Sequence, residues 1–196
     1  MSLATPRTEV TLSEKRFSIA DVAALPTDLP SGTVDYELDN GRLVTMVPPG
    51  DRHGAVQGEI VTELKNQGQR RGLGLARSEV GIVLWRNPDR LVGADAAFIL
   101  KQSLPLRHSP EGYLETIPEL VVEVRSKNDS AAQIERKIED YLAAGVQMVL
   151  VADPTTKTIT AYEQSGKRRT FAEADTLTLS GILPDFSCSV AELFNE

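Results

Sequence analysis

The chain has 196 residues, of which 41% are hydrophobic and 25% charged, and its formal net charge is −7. These proportions are typical of a single soluble globular domain that is long enough to bury a sizeable core. The acidic balance argues against a protein that binds nucleic acid through a simple excess of basic charge. It leaves open an enzyme that acts on nucleic acid, because bound metal ions offset the charge of active-site carboxylates.

Neither a membrane segment nor a secretion signal is indicated. No apolar run approaches the roughly 20 residues needed to span a bilayer, and the N-terminal stretch MSLATPRTEVTLSEKRFS lacks the apolar centre of a signal peptide. We therefore expect a cytoplasmic protein with no membrane partner. The single cysteine, Cys188, allows neither an intrachain disulfide nor a zinc site built from cysteines.

The N-terminal part predicts an arm, a short helix and a hairpin. Residues 1–16 are polar and mixed, as in an N-terminal arm, and residues 17–196 are expected to form one domain. Ser18 is suited to cap a short helix. Asn40-Gly41 between two alternating runs is a strong signal for a type I′ hairpin turn.

A longer helix and two strands follow. Residues 51–72 have apolar residues at four-residue steps, which predicts an amphipathic helix that ends at Gly68 or Gly72. Residues 78–85 and 91–100 are predicted strands, joined by a turn at Asn-Pro-Asp.

The C-terminal half predicts a strand–helix–strand unit. After a polar loop over residues 101–117, a strand is expected at 119–125, a capped amphipathic helix at 130–145 and an apolar strand at 147–152. The remaining chain predicts short strands, turns and a terminal helical turn. The predicted fold class is therefore α/β (an α+β mixed sheet) in one domain.

Two carboxylates fall on apolar strands. Glu123 lies within LVVEV and Asp95 within VGADAAFIL, where an unpaired buried charge costs several kcal/mol or more. If the strands are neighbours, the two carboxylates can converge on a hard divalent cation such as Mg²⁺. The other interpretation is a structural ion-pair network that includes Arg125, which shares a strand face with Glu123.

A cation near such a site can hold an attacking water and stabilise developing negative charge. The residues offer two candidates, Arg125 by sequence proximity and Lys137 on the following helix. Lys137 borders the apolar face of that helix, but Glu135 borders the opposite edge equally well. Periodicity alone does not select Lys137.

The spacing of Asp95 and Glu123-Val124-Arg125 resembles the D…(D/E)xK pattern of the PD-(D/E)xK nuclease superfamily. The chain is most similar to the Uma2 family of restriction endonucleases, through an ordered set of stretches over roughly residues 35–194: YELDNGRLVTMVPPGDRHG, EVGIVL, GADAAF, PELVVEVRSKND, KIEDYLAAGVQMVLVADP and GILPDFSCSVAELF. This resemblance implies a restriction-endonuclease-like core, a central mixed β-sheet flanked by helices with a metal site at the strand ends.

The resemblance also implies site residues and a reaction. Asp95 and Glu123 match the metal-binding carboxylates for Mg²⁺ or Mn²⁺, and Lys137 matches a catalytic lysine that has moved to the following helix. The implied enzyme is a metal-dependent endonuclease that hydrolyses phosphodiester bonds of DNA. Two departures are Ala94, where the family usually has proline, and Arg125, where it usually has an apolar residue.

Further candidates for the site come from the neighbouring elements. The histidine common in the family corresponds to His53, and the superfamily often contributes another acid from the first helix. The candidates, apart from Arg125, are His53, Glu59, Glu63 and Glu79. The alternative function is a catalytically inactive nuclease fold that serves as a binding or assembly module. A homodimer is expected in the catalytic case, because two sites related by a two-fold axis can cut both strands of a duplex.

Overall fold

The structure, a computed structural model, describes residues 15–30, 32–46, 48–127 and 129–195. Most of the N-terminal arm predicted over residues 1–16 lies outside the described residues. No helix in the described part of the chain is long and apolar enough to cross a membrane.

The described residues form four α-helices and twelve strands. The helices are α1 (Ile19–Ala23), α2 (Asp51–Leu64), α3 (Ala131–Ala144) and α4 (Val190–Leu193). The strands are β1 (Asp28–Leu29), β2 (Gly32–Thr33), β3 (Asp35–Asp39), β4 (Arg42–Met46), β5 (Gly74–Trp85), β6 (Arg90–Leu100), β7 (Leu120–Val124), β8 (Met148–Asp153), β9 (Thr158–Glu163), β10 (Arg168–Phe171), β11 (Thr176–Leu179) and β12 (Leu183–Ser189).

Over the same residues, a mixed sheet of eight strands forms the centre of the fold. Its order is β10-β9-β8-β7-β6-β3-β4, and β5 also pairs with β6. Among these pairs β7 and β8 are parallel and the others antiparallel. Two small ribbons, β1–β2 and β11–β12, lie outside this sheet.

The hairpin β3–β4 and the helix α3 form for local reasons that were predicted. Asn40 and Gly41 have φ values of 52° and 81°, as a type I′ turn requires at both central positions. The Ser130 hydroxyl accepts from the backbone N–H of Gln133 in a capping box, and Gly145 follows α3 with φ of 108°. The helix α3, which begins after Ser130 and ends before Gly145, connects β7 to the parallel strand β8.

Three boundaries differ from the sequence prediction. The α-helical part of α2 ends at Leu64, and a π-helical turn over Lys65–Gln69 carries the chain to the sheet. The strand β5 begins at Gly74 because it pairs along nearly the whole of β6. The loop expected over residues 101–117 begins with a 3₁₀ turn, Lys101–Ser103.

The sheet separates two apolar layers. Leu120, Val122 and Val124 of β7 face the layer that includes α2, α4 and the β11–β12 ribbon, whereas Val121 faces the layer covered by α3. Because side chains alternate along a strand, Glu123 lies on the α3 side of the sheet. The helix α3 therefore covers the strand face that carries the buried carboxylate.

Two glycines provide a test of how closely the hairpin β5–β6 is packed. A Cβ at Gly74 would lie 2.1 Å from the carbonyl oxygen of Ile99, whereas a Cβ at Gly58, in α2, would have no neighbour within 4 Å. We expect Gly74→Ala to lower the free energy of unfolding by about 1–3 kcal/mol. Gly58→Ala should raise it by about 0.5–1 kcal/mol. Urea-induced unfolding measures both, and equal effects of the two substitutions would contradict the packing described.

Candidate active site

The strand β6 is flanked along one edge by two different strands. β3 pairs with it through Leu38 and Leu91, and β7 pairs with residues 96–98. Among the described residues, no ladder pair joins β3 or β7 to residues 92–95 of β6. We call this gap between the ends of β3 and β7 the notch.

Charged side chains form hydrogen bonds with the backbone groups of the notch. Oε1 of Glu37 accepts from the N–H of Gly93 at 3.0 Å, and Nζ of Lys137 donates to the Gly93 carbonyl at 3.1 Å. Oδ2 of Asp95 accepts from the N–H of Val124 at 2.6 Å. Charged side chains from three elements therefore converge where the regular ladder is interrupted.

Asp95 lies at the more open side of the notch. Its side chain is 17% exposed, and Oδ2 lies 3.2 Å from Nε2 of His53 at the start of α2. Burial alone lowers the pKa of His53, but the hydrogen bond to Asp95 and its charge outweigh burial and raise the pKa. Nδ1 of His53 is buried and has no hydrogen-bond partner among the described residues.

Glu123 is a buried carboxylate of the notch. Its Oε2 lies 3.0 Å from Nζ of Lys137, and its Oε1 accepts from the hydroxyl of Tyr141 at 2.6 Å. Burial raises the pKa of Glu123 to about 7, and the charge of Asp95 adds to the increase, while Lys137 and Tyr141 oppose it. The carboxyl is thus poised to change charge near neutral pH.

Lys137 reaches inward from α3 between two carboxylates. Its Nζ lies 3.1 Å from Oε1 of Glu37 and 3.0 Å from Oε2 of Glu123, and its side chain is 14% exposed. Burial lowers the pKa of Lys137, but Glu123 and Glu37 together raise it above its ordinary value. The ammonium is therefore a fixed positive charge at physiological pH.

The notch brings together four of the residues predicted for the site. Lys137 contacts Glu123, Asp95 accepts from the N–H of Val124, the residue after Glu123, and His53 contacts Asp95. Their roles in metal binding and catalysis remain predictions.

Arg125 lies beyond the end of β7 and has a different partner. Its Nη1 donates to Oδ2 of Asp153 at 2.8 Å. The cation next to Glu123 is therefore Lys137, and the ion pair between Arg125 and Glu123 considered from sequence is not formed.

The three glutamates predicted for the site differ in whether they are connected to the notch. Glu59 is exposed on α2, and Glu63 accepts a hydrogen bond from Gln67. Glu79 accepts from Gln57, whose Nε2 also donates to the backbone carbonyl of Asp95 at 2.9 Å. Glu79 has φ of 48°, a left-handed conformation that favours glycine, at the point where β5 passes Asp95. Of the three, only Glu79 is connected to the notch.

Three residues of the site are not singled out by the sequence. Glu37 alternates with apolar residues in a hairpin strand, so it resembles a solvent-facing position. Tyr141 lies on the apolar face of α3, where an aromatic residue is expected for packing alone. Its hydroxyl belongs to the site because it donates to Glu123. Gln57 lies among the buried residues of α2. Gln57 could have been identified as a polar residue on the predicted buried face of α2. The sequence contains no comparable signal for Glu37.

The family profile of Uma2, described as "Putative restriction endonuclease", matches residues 20–191. The chain belongs to the Uma2 family. The predicted family is thereby confirmed. No curated protein matches this Uma2 chain significantly.

A solved structure confirms the fold of this Uma2 protein. The crystal structure of a "putative nuclease" from Anabaena variabilis matches with a TM-score of 0.72 and 18% sequence identity, covering 89% of this chain and 96% of that chain. The predicted α/β fold, a central mixed sheet flanked by helices, is the fold of that protein.

The oxygen donors in the notch suit a hard divalent cation. Asp95 is partly exposed, and its Oδ2 accepts from the N–H of Val124, the residue after Glu123. Among the described residues, no group of three or more His, Cys, Asp and Glu side chains is placed to hold a metal ion. Carboxylates such as those of Asp95 and Glu123 are the oxygen ligands that Mg²⁺ takes from proteins, usually one or two at a time with water and substrate oxygens completing the shell.

The raised pKa of Glu123 predicts a pH-dependent effect of Glu123→Gln. In the folded protein the pKa rises from 4.5 to about 7, so the stabilisation by this group is present below pH 4.5 and is lost as the pH rises through about 7. Glutamine does not titrate. The free energy of unfolding of E123Q minus that of the wild type should therefore increase between about pH 5 and about pH 8, because only the wild type loses stability through this group.

Urea-induced unfolding of both proteins at the two pH values measures this difference. Glu139→Gln, on the exposed face of α3, is the control for the loss of one negative charge from the same region. A difference between E123Q and the wild type that stays constant with pH would contradict the raised pKa.

Proposed function

We propose that this Uma2 protein is an endonuclease that hydrolyses phosphodiester bonds of DNA with Mg²⁺ or Mn²⁺. The observation that supports this most strongly is the convergence of Asp95, Glu123 and Lys137 in one notch. Two carboxylates next to one fixed ammonium supply the charges that phosphodiester hydrolysis needs.

The proposed roles of the residues follow from their positions and exposure. Asp95 and Glu123 would hold the cation, which when bound supplies charge neutralisation and lowers the pKa of a bound water. The Val124 amide and His53 fix the carboxylate of Asp95 while part of that side chain reaches solvent. Part of Asp95 would thus remain accessible to a substrate that approaches from solvent.

Lys137 contributes positive charge behind Glu123. As a water oxygen bonds to phosphorus and the bridging P–O bond breaks, negative charge grows on the phosphoryl oxygens. A preorganised cation in a site with little water stabilises that charge more than a solvated one does. Lys137 would thus act by charge stabilisation.

One observation favours the alternative, an inactive nuclease fold that acts as a binding or assembly module. Both oxygens of Glu123 already have partners, Lys137 and Tyr141, so the burial of this carboxylate is compensated by protein groups. Metal is then not needed to explain why Glu123 is tolerated on a buried strand.

DNA as the substrate and a homodimer as the assembly are parts of the same proposal. The family description concerns restriction endonucleases, which supports DNA. A two-fold dimer would present one notch to each strand of a duplex.

Cleavage assays test the proposed activity. Supercoiled and linear DNA are incubated with the protein and Mg²⁺ or Mn²⁺, with single-stranded RNA as a parallel substrate. Asp95→Ala and Lys137→Ala should each lower the cleavage rate by about 100-fold or more, because each removes a charge at the reacting centre. Removal of divalent ions by EDTA should abolish cleavage.

Asp185→Ala and Lys157→Ala are the matched controls, because both residues form exposed ion pairs away from the notch. They should cleave like the wild type. Cleavage that survives both Asp95→Ala and Lys137→Ala would refute the assignment of the site. A wild type that cleaves neither substrate with either metal would support the inactive module.

A further inference from the structure

Glu37 is a third carboxylate of the notch, beside the proposed catalytic pair. It lies on β3, is 6% exposed and enters the notch from the strand opposite β7. Its Oε1 accepts from the N–H of Gly93 at 3.0 Å and lies 3.1 Å from Nζ of Lys137. One carboxylate oxygen thus contacts both the interrupted strand and the ammonium.

The surroundings of Lys137 match the number of its donors. An ammonium has three N–H donors and no acceptor. Three oxygens lie within 3.1 Å of Nζ, one each from Glu37, Glu123 and the carbonyl of Gly93. The protein therefore supplies one acceptor for each donor, and two of the three acceptors are oxygens of carboxyl side chains.

Glu37 is itself held in place by the strand and by Arg90. Nη1 of Arg90 lies 3.8 Å from Oε2 of Glu37 and donates to the Leu38 carbonyl at 2.9 Å. Nε of Arg90 donates to Oδ2 of Asp140 on α3 at 2.7 Å. This chain of contacts joins β3 to the helix that carries Lys137, so the position of Glu37 is fixed relative to α3.

We propose that Glu37 is a positioning residue that fixes the ammonium of Lys137 beside Glu123. Lysine has a long flexible side chain, and its ammonium stays at one point only if several acceptors surround it. Without the charge of Glu37, Lys137 keeps Glu123 as its one carboxylate partner, and a neutral amide oxygen in place of Glu37 holds the third N–H less firmly. The catalytic consequence rests on the proposed nuclease function, whereas the placement of the ammonium does not.

Two variants on the same strand separate this role from a general effect of charge. Glu37→Gln keeps the shape of the side chain and removes its charge. Asp35→Asn removes one carboxylate two residues earlier on β3, where the side chain is exposed and contacts none of the groups in the notch. D35N is therefore the matched control for E37Q.

The first readout is spectroscopic and needs no activity. A fully hydrogen-bonded lysine ammonium exchanges its protons slowly enough to give a ¹H–¹⁵N signal. We expect this signal for Lys137 in the wild type and in D35N, with its assignment made by its absence from Lys137→Arg. In E37Q the signal should broaden or disappear.

The second readout is kinetic. With the wild type active on DNA, E37Q should lower kcat by about tenfold or more and leave KM within about twofold, because a displaced charge weakens transition-state stabilisation and not substrate binding. D35N should leave both constants unchanged.

An unchanged Lys137 signal in folded E37Q would overturn the proposal, as would a kcat equal to that of the wild type. If the wild type cleaves nothing, the nuclease proposal fails, and the spectroscopic comparison still decides whether Glu37 positions Lys137. If circular dichroism shows that E37Q is unfolded, Glu37→Asp replaces it. This variant keeps the charge but withdraws it by one methylene group, and the same loss of signal supports the proposal while an intact signal overturns it.

Discussion

The carboxylate of Glu123 sits in a strand buried on both faces, and the surrounding structure compensates its charge. The neighbours that do so come from one helix, α3, which supplies both the ammonium of Lys137 and the hydroxyl of Tyr141. Removing one partner of a buried ion pair costs far more than the pair contributes, because a bare charge is left in a poorly solvated place. The position of α3 over β7 is therefore constrained by electrostatics as well as by apolar packing.

At the notch, charged side chains take the place of the missing ladder pairs. β3 and β7 both approach β6, and residues 92–95 between them are left to side chains. Glu37 and Asp95 accept from backbone amides of the neighbouring strands, which satisfies groups that a continuous ladder would have paired. The sheet thus keeps its hydrogen bonds and gains a concentration of charge at one place, which a regular ladder would exclude.

Local signals were sufficient to predict much of this fold. Asn40-Gly41 specified a hairpin turn, Ser130 and Gly145 marked the ends of α3, and the apolar run of β8 indicated a strand covered on both faces. In each case the residues that determine the structure are close together in sequence. The family resemblance then supplied the common sheet and the choice of Lys137 over Arg125 and Glu135.

The partners within the site depended on contacts that are distant in sequence. Glu37 is separated from Lys137 by about half of the chain and occupies a polar position of an ordinary hairpin strand, so its burial becomes evident only from the tertiary contacts between β3 and α3. Alternation places Arg125 on the same strand face as Glu123, yet Arg125 donates a hydrogen bond to Asp153 at the end of β8. Alternation along a strand gives the face of a residue, and the identity of its neighbour comes from tertiary packing.

Asp95 and Glu123 are proposed to hold one divalent cation, which a crystal structure of the protein grown with Mn²⁺ would reveal. We expect an anomalous peak in the notch, with a carboxylate oxygen of each residue about 2.0–2.3 Å from the ion, as is usual for hard divalent cations with oxygen ligands. An ion bound elsewhere, or a notch without an anomalous peak in which Glu123 keeps both Lys137 and Tyr141, would contradict it.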